Sequence, residues 1–120
     1  MKRETIERLI QELAAEYENV CRAADGGRTL VSLQKVHFPE GCVPETGAAL
    51  IVLDEAQAAP QLFLKVLPQL PNGNAPRSIS TATFAGESWN GFSFNQAWDE
   101  NSHSAVQFVE GRLRRFALKE

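Results

Sequence analysis

AALIVLDEAQAAPQLFLKV, residues 48–66, holds two short apolar runs with a brief connection between them. Residues 48–53 are apolar without a break, as in a strand covered on both faces. Residues 61–66 alternate, with Leu62, Leu64 and Val66 on one parity and Phe63 and Lys65 on the other, as in a strand with two unlike faces. The link, residues 54–60, is too short for a helical crossover, so the two strands are read as antiparallel neighbours.

Upstream, residues 30–38 are β-like. Val31 and Leu33 occupy one parity and Val36 and Phe38 the other, a switch that points to a bulge. Pro39-Glu40-Gly41 ends this strand. Before it, residues 3–24 read as one helix. Ile6, Leu9, Ile10, Leu13, Tyr17, Val20, Cys21 and Ala24 recur at helical spacing, and Asp25-Gly26-Gly27 reads as the stop. Cys21 is thereby expected in the core. Downstream, Pro68, Pro71 and Pro76 exclude a central strand; residues 79–84 read as a short further strand. Ser102 is the expected N-cap of a last helix whose buried face is Ala105, Val106, Val109, Leu113 and Phe116. The expected fold is α+β: an N-terminal helix, an antiparallel meander of three to four strands, an irregular loop and a C-terminal helix, in one domain spanning residues 1–120.

The chain has 120 residues and a net charge of -3. An acidic balance argues against a general binder of nucleic acid or anionic membranes. The basic cluster Arg112, Arg114, Arg115 and Lys119 reads as a solvated helix face. Residues 1–4, MKRE, lead into a charged amphipathic helix rather than an apolar signal segment, and no apolar run reaches membrane-spanning length. A reduced, cytoplasmic protein is the simplest expectation. Cys21 and Cys42 are the two cysteines. They have no zinc-ligand spacing, and nothing suggests a metal or a cofactor.

Residues 86–98, GESWNGFSFNQAW, hold both tryptophans. Read as a turn-rich loop, this stretch is unusually aromatic, and its large rings fix a loop that presents hydroxyls. Trp89 and Trp98 are expected to be buried and to hold the loop against the last helix.

The order of elements resembles the ubiquitin-conjugating-enzyme fold. More narrowly, the chain resembles a bacterial family of conjugating-enzyme-like proteins encoded beside ubiquitin-like proteins. The residues that carry the likeness are FPEG at 38–41, the 48–66 stretch, LPNG at 70–73, where that fold has its His-Pro-Asn turn, and SWNGFSFNQAW at 88–98. The chain departs from the pattern in having no cysteine near the tryptophan segment, and Leu70 stands where the turn's histidine would be. The resemblance therefore implies one of two functions. In the first, a loop serine accepts a ubiquitin-like protein from an activating enzyme as an oxyester and passes it to a target. In the second, the protein is an inactive variant that binds a ubiquitin-like protein or an activating enzyme as an adaptor.

Serine needs a base or an activating field to act as a nucleophile. Ser93, after Asn90-Gly91 and between two phenylalanines, is the first candidate, and Ser88 the second; a turn hydroxyl also serves simply to satisfy backbone groups. Asn72 is a candidate oxyanion donor or only a turn residue. His103 is a candidate base. Asp99, with Glu100, is a candidate to deprotonate an attacking amine, or a helix-start charge. His37 is given no role. The resemblance places a partner-docking face on Lys2, Arg3, Glu7, Arg8 and Glu12, with Trp89 as a further partner contact. A solvated helix face fits the same residues.

Overall fold

The computed structural model describes residues 1–73, 75, 79–92, 98 and 104–117. Helix α1 (Arg3–Glu16) is followed by strands β1 (Cys21–Asp25), β2 (Arg28–His37), β3 (Thr46–Asp54), β4 (Gln61–Leu64), β5 (Ile79–Phe84) and β6 (Glu87–Phe92). Helix α2 (Ala105–Leu113) runs into a 3-10 turn, Arg114–Ala117. The strands form one antiparallel sheet in the order β1-β2-β3-β4-β6-β5. The α+β class holds, but the sheet has six strands rather than three or four.

The first correction concerns the end of α1. Tyr17 is already extended, with φ -109° and ψ 148°, and Asn19 turns the chain at φ 56°. Residues 21–25 then pair with β2 from Cys21↔Ser32 to Asp25↔Arg28. Gly26 and Gly27 both have positive φ, 57° and 85°, the backbone that a two-residue hairpin turn demands. The Asp-Gly-Gly punctuation is thus a hairpin turn rather than a helix stop. Cys21 is exposed on the edge strand, not in the core.

The second correction concerns residues 86–98. Their first half is strand β6, not loop. Ala85 (φ 51°) and Gly86 (φ 81°) make a second tight hairpin turn between β5 and β6.

The parity switch in β2 is a bulge between Leu33 and Val36. The extra residue brings both side chains to the same, fully buried face. That face carries the main core. Ile6, Leu9 and Leu13 of α1 meet Leu33 of β2, Ile51 of β3, Leu64 of β4 and Phe108, Leu113 and Phe116 of the C-terminal region. Each fully buried Leu or Ile contributes about 1.5–3 kcal/mol of transfer free energy. Residues 49–53 of β3 are all buried, and Leu50 and Val52 point to the other side. There they pack with Leu30, Phe84 and Trp89, beside Phe63. The β5–β6 hairpin supplies Phe84 and Trp89, so the sheet's second face is covered by its own folded-over strands. The hairpin's tip reaches the β1–β2 turn. The Ala85 N–H donates to Asp25 Oδ2 at 3.3 Å, and the Arg28 guanidinium lies 4.9 Å from the Phe84 ring centre.

Helix α2 begins at Ser104, whose hydroxyl accepts the Gln107 N–H while the Gln107 side chain accepts the Ser104 N–H, each at 3.0 Å. The cap is therefore Ser104; Ser102 lies outside the described residues. Glu12 Oε1 accepts the Ala105 N–H at 2.9 Å, tying α1 to the start of α2. Ala105, Phe108, Val109, Leu113 and Phe116 are buried, and Val106 is half-buried.

Candidate functional site

Ser93, Asp99, Glu100 and His103 lie outside the described residues. Both flanks of residues 93–97 are described. On the upstream side, β6 lies between β5 and β4. Its ladder with β4 has two residue pairs, Phe63↔Gly91 and Leu64↔Asn90. Asn90 adds side-chain bonds: its Nδ2 donates to the carbonyls of Lys65 at 3.2 Å and Leu64 at 3.4 Å. Gly91 is buried with the Phe63 ring against it. A Cβ there would meet Phe63 Cε1 at 3.0 Å and Ser80 Oγ at 3.1 Å, so any larger residue would have to push the ring and the hydroxyl back. On the downstream side, the Trp98 ring packs edge-on against Phe108 of α2, with centres 5.7 Å apart.

The two tryptophans therefore have separate duties. Trp98 packs on the last helix, as expected, but is half-buried rather than buried. Trp89 does not; it is 6% exposed on the opposite face of the sheet. Lys65 Nζ sits 5.1 Å from its ring centre and 3.5 Å from Glu87 Oε2. Trp89, expected above as a partner contact, is thus almost wholly covered in the free chain. Ser88 is exposed on β6 opposite Thr83. Among the described residues no histidine or carboxylate hydrogen-bonds its hydroxyl, so no activating base is in place for it.

Asn72 lies exposed in the turn closed by the Gly73 N–H donating to the Leu70 carbonyl at 2.8 Å. Leu70 is buried in the main core. Val43 and Gln69 exchange backbone bonds of 3.0 and 2.7 Å, so the 41–44 turn and the 69–73 turn are clamped together. Cys42 is buried under this clamp, with its thiol directed at the Phe116 carbonyl at 4.0 Å. Burial pushes the Cys42 thiol pKa up, which makes it a poor nucleophile. Cys21 lines a groove of about 200 Å³ between β1 and the hairpin tip, together with Arg22, Leu50, Phe84, Glu87 and Trp89.

The outer face of α1 is tied down in part. Glu7 binds the Arg22 guanidinium of β1 through both oxygens, at 2.6 and 2.9 Å, and also pairs with Arg3 at 3.2 Å. The Arg22 contact, more than the Arg3 charge, holds the Glu7 carboxyl below its usual pKa. Arg8 pairs with Glu12 at 3.8 Å. Lys2, Arg3 and Arg8 share this end of the helix, with Lys2 and Arg3 exposed and Arg8 half-buried. At its start, the Met1 ammonium donates to the carbonyls of Glu55 and Gln57. Of the basic cluster, Arg112 is not a solvated charge. It lies 5.3 Å from the Phe108 ring centre and is half-buried, and burial lowers its pKa.

A second groove, about 840 Å³, has none of Ser88, Asn72 or Trp89 in its lining. It opens between the ends of α1, β2 and α2 and is lined by Tyr17, Asn19, Lys35, His37, Glu110 and Arg114, among others. Desolvation raises the Tyr17 phenol to about 12, with Glu110 and Glu16 adding to the shift. Sequence reasoning missed this groove, since a helix running on past Tyr17 would fill it. Among the described residues no group of His, Cys, Asp or Glu is arranged to hold a metal ion, and no helix is long and apolar enough to cross a membrane. Searches of protein-family models, curated proteins and solved structures find no match to this chain.

Proposed function

We propose that this chain is a ubiquitin-conjugating-enzyme-like protein of a bacterial ubiquitin-like conjugation pathway. It accepts a ubiquitin-like protein from an activating enzyme as an oxyester on Ser93 and passes it to a target. The observation that carries the reading is the arrangement around residues 93–97. An N-terminal helix precedes the antiparallel meander β1–β4, the last helix packs on the same face, and the chain leaves β6 beside β4 to rejoin the core at Trp98. The described residues on either side, Phe92 at the end of β6 and Trp98 against Phe108, belong to the sheet and to the helix-covered core, the kind of scaffold on which functional segments are carried. The cysteines support an oxygen nucleophile: Cys42 is buried with a raised pKa, and Cys21 stands on edge strand β1.

In the reaction, Ser93 Oγ forms a bond to the activated carbonyl carbon of the ubiquitin-like C-terminus. The bond to the activating group breaks, and the serine proton leaves to a base. Asn72, His103 and Asp99 keep their candidate roles as oxyanion donor, base, and acceptor of a proton from the attacking amine.

The test is reconstitution with the cognate activating enzyme, nucleotide and ubiquitin-like protein. The expected product is a covalent adduct that survives thiol reductants and is cleaved by hydroxylamine. Ser93→Ala should abolish it, and Ser93→Cys should make it reductant-sensitive. Cys21→Ala is the critical control, because Cys21 is exposed and shares a groove with Trp89. Loss of the adduct in Cys21→Ala, or a reductant-sensitive adduct on the unaltered chain, would overturn the serine. Binding of the ubiquitin-like protein without any adduct would favour the adaptor.

A further inference from the structure

We propose that β1 is a pairing edge for a second copy of this chain, the two β1 strands running antiparallel about a twofold axis at Ala23. This goes beyond the proposed function and does not depend on it. β1 lies at the end of the sheet, with β2 on one side and no strand on the other among the described residues. The direction of its backbone groups follows from its hairpin. Across a two-residue turn the flanking pair, here Asp25↔Arg28, exchanges both backbone hydrogen bonds, and the exchange recurs at every second pair. Cys21, Ala23 and Asp25 therefore direct their N–H and carbonyl groups to β2. Arg22 and Ala24 direct theirs to the free edge. Among the described residues no backbone bond outside the β1–β2 ladder engages either of them.

Free edges are commonly blunted by proline, a bulge, an inward charge or a covering segment. β1 has no proline, pairs with β2 without a register shift, and is exposed over residues 21–24. Its cation, Arg22, is held by both oxygens of Glu7. An antiparallel partner must set outward residues against outward residues, and this selects the register. Arg22 opposite Arg22 would place like charges face to face, which is destabilising. Ala24 opposite Ala24 would set Arg22 against Gly26, which lies in the turn at φ 57°. Arg22 opposite Ala24 engages every outward N–H and carbonyl of both strands. It also sets Ala23 against Ala23 at a non-hydrogen-bonded position, where Cα atoms approach to about 4.5 Å and two methyl groups fit. The edge is thus complementary to itself in hydrogen bonds, side-chain size and charge, as a twofold interface requires. Two such short strands bury less than about 1,200 Å², so the dimer is weak, half-formed at about 0.1 mM chain.

The test is sedimentation of the purified chain from about 5 μM to about 1 mM, with reductant present so that the exposed Cys21 forms no disulfide. The expected result is a concentration-dependent shift from monomer to dimer. Ala24→Pro removes an outward donor from each copy and leaves the bonds to β2 in place, so it should weaken association about tenfold or more with circular dichroism unchanged. Ala23→Lys and Ala23→Glu each set like charges against themselves. Either variant alone should associate more weakly than the unaltered chain, and an equimolar mixture of the two should associate about threefold or more tightly than either. A monomer at about 1 mM overturns the proposal. So does a dimer that Ala24→Pro leaves intact, because the seam then lies elsewhere. A mixture of the folded charge variants that associates no better than each alone overturns it as well.

Discussion

Replacing Trp89 with alanine separates the two layers of this fold. Trp89 is 6% exposed and belongs to the outer cluster with Leu30, Leu50, Val52 and Phe84. A tryptophan buries about 150–250 Å², which at about 25 cal/mol per Å² is about 4–6 kcal/mol. Part of that is retained by the alanine and by relaxation of the site. Truncations of this kind usually cost about 3–5 kcal/mol. The attachment of the hairpin decides where in that range the loss falls. Two ladder pairs join the β5–β6 hairpin to β4, so the hairpin can settle into the space as a unit, giving about 3–4 kcal/mol. The Lys65 ammonium over the ring adds at most about 1 kcal/mol at an exposed site. For a chain of 120 residues, an unfolding entropy of about 2.1 cal/mol/K per residue turns this into a fall in Tm of about 12–16 °C. Urea unfolding followed by circular dichroism measures both the free energy and the m-value. Native emission from the remaining Trp98 should stay blue-shifted, since its ring packs on Phe108 on the other side of the sheet. A loss below about 1 kcal/mol with an unchanged m-value, or a red-shifted Trp98, would refute the two-layer account.

The remaining predictions follow from single contacts. Tyr17 is the one tyrosine of the chain, so the tyrosinate absorbance band should titrate near 12. Its raised folded pKa contributes stability that is fully present below about 10 and lost as pH rises toward 12; Glu110→Gln should lower the midpoint, and a midpoint at 10 in the native protein would contradict the half-buried phenol. A thiol reagent should label Cys21 at once and Cys42 only on unfolding; fast modification of both would place Cys42 at the surface. Glu12→Ala should cost about 1–2 kcal/mol in urea unfolding, because it removes a charged acceptor at the N-terminus of α2; an unchanged midpoint would show that water replaces it. Glu7 has a lowered folded pKa, so its pairing with Arg22 stabilises above about 4.5 and fades as pH falls through the folded value. Acid melts of Glu7→Gln should lack that part of the pH dependence, and identical acid limbs would count against the contact.

The sequence was legible where burial patterns and link lengths agree. Residues 48–66 specify β3 and β4 as antiparallel neighbours, and the change of parity around Lys35 marks the β2 bulge. It misled where one pattern serves two structures. Val20, Cys21 and Ala24 continue the spacing of α1, yet a tight glycine turn makes the same residues a strand, and hairpin pairing outweighs helix propagation. The aromatic stretch reads as a loop because Asn90 and Gly91 are poor strand formers. Their reasons for being there lie in Phe63 and in the carbonyls of Leu64 and Lys65, which are distant in the sequence. The packing of Trp98 on the last helix is legible because the two lie close together in the chain. The cover that Trp89 gives to the second sheet face depends on a hairpin folding back, which no local pattern records.

That folded-back hairpin also bears on the order in which the molecule assembles. The strands β1 to β4 meet through successive neighbours, and β5 and β6 meet through a two-residue turn, so both units close short loops. Joining them is different: Asp25 and Ala85, in contact at the two turn tips, are 60 residues apart. Contacts of such separation form late unless strong local structure brings them together. The outer cluster is therefore expected to be the last part to close and the first to open. An intermediate with its helix-covered side intact and its hairpin swung free would expose Leu30, Leu50 and Trp89 together, giving the molecule a sticky form that exists only in passing.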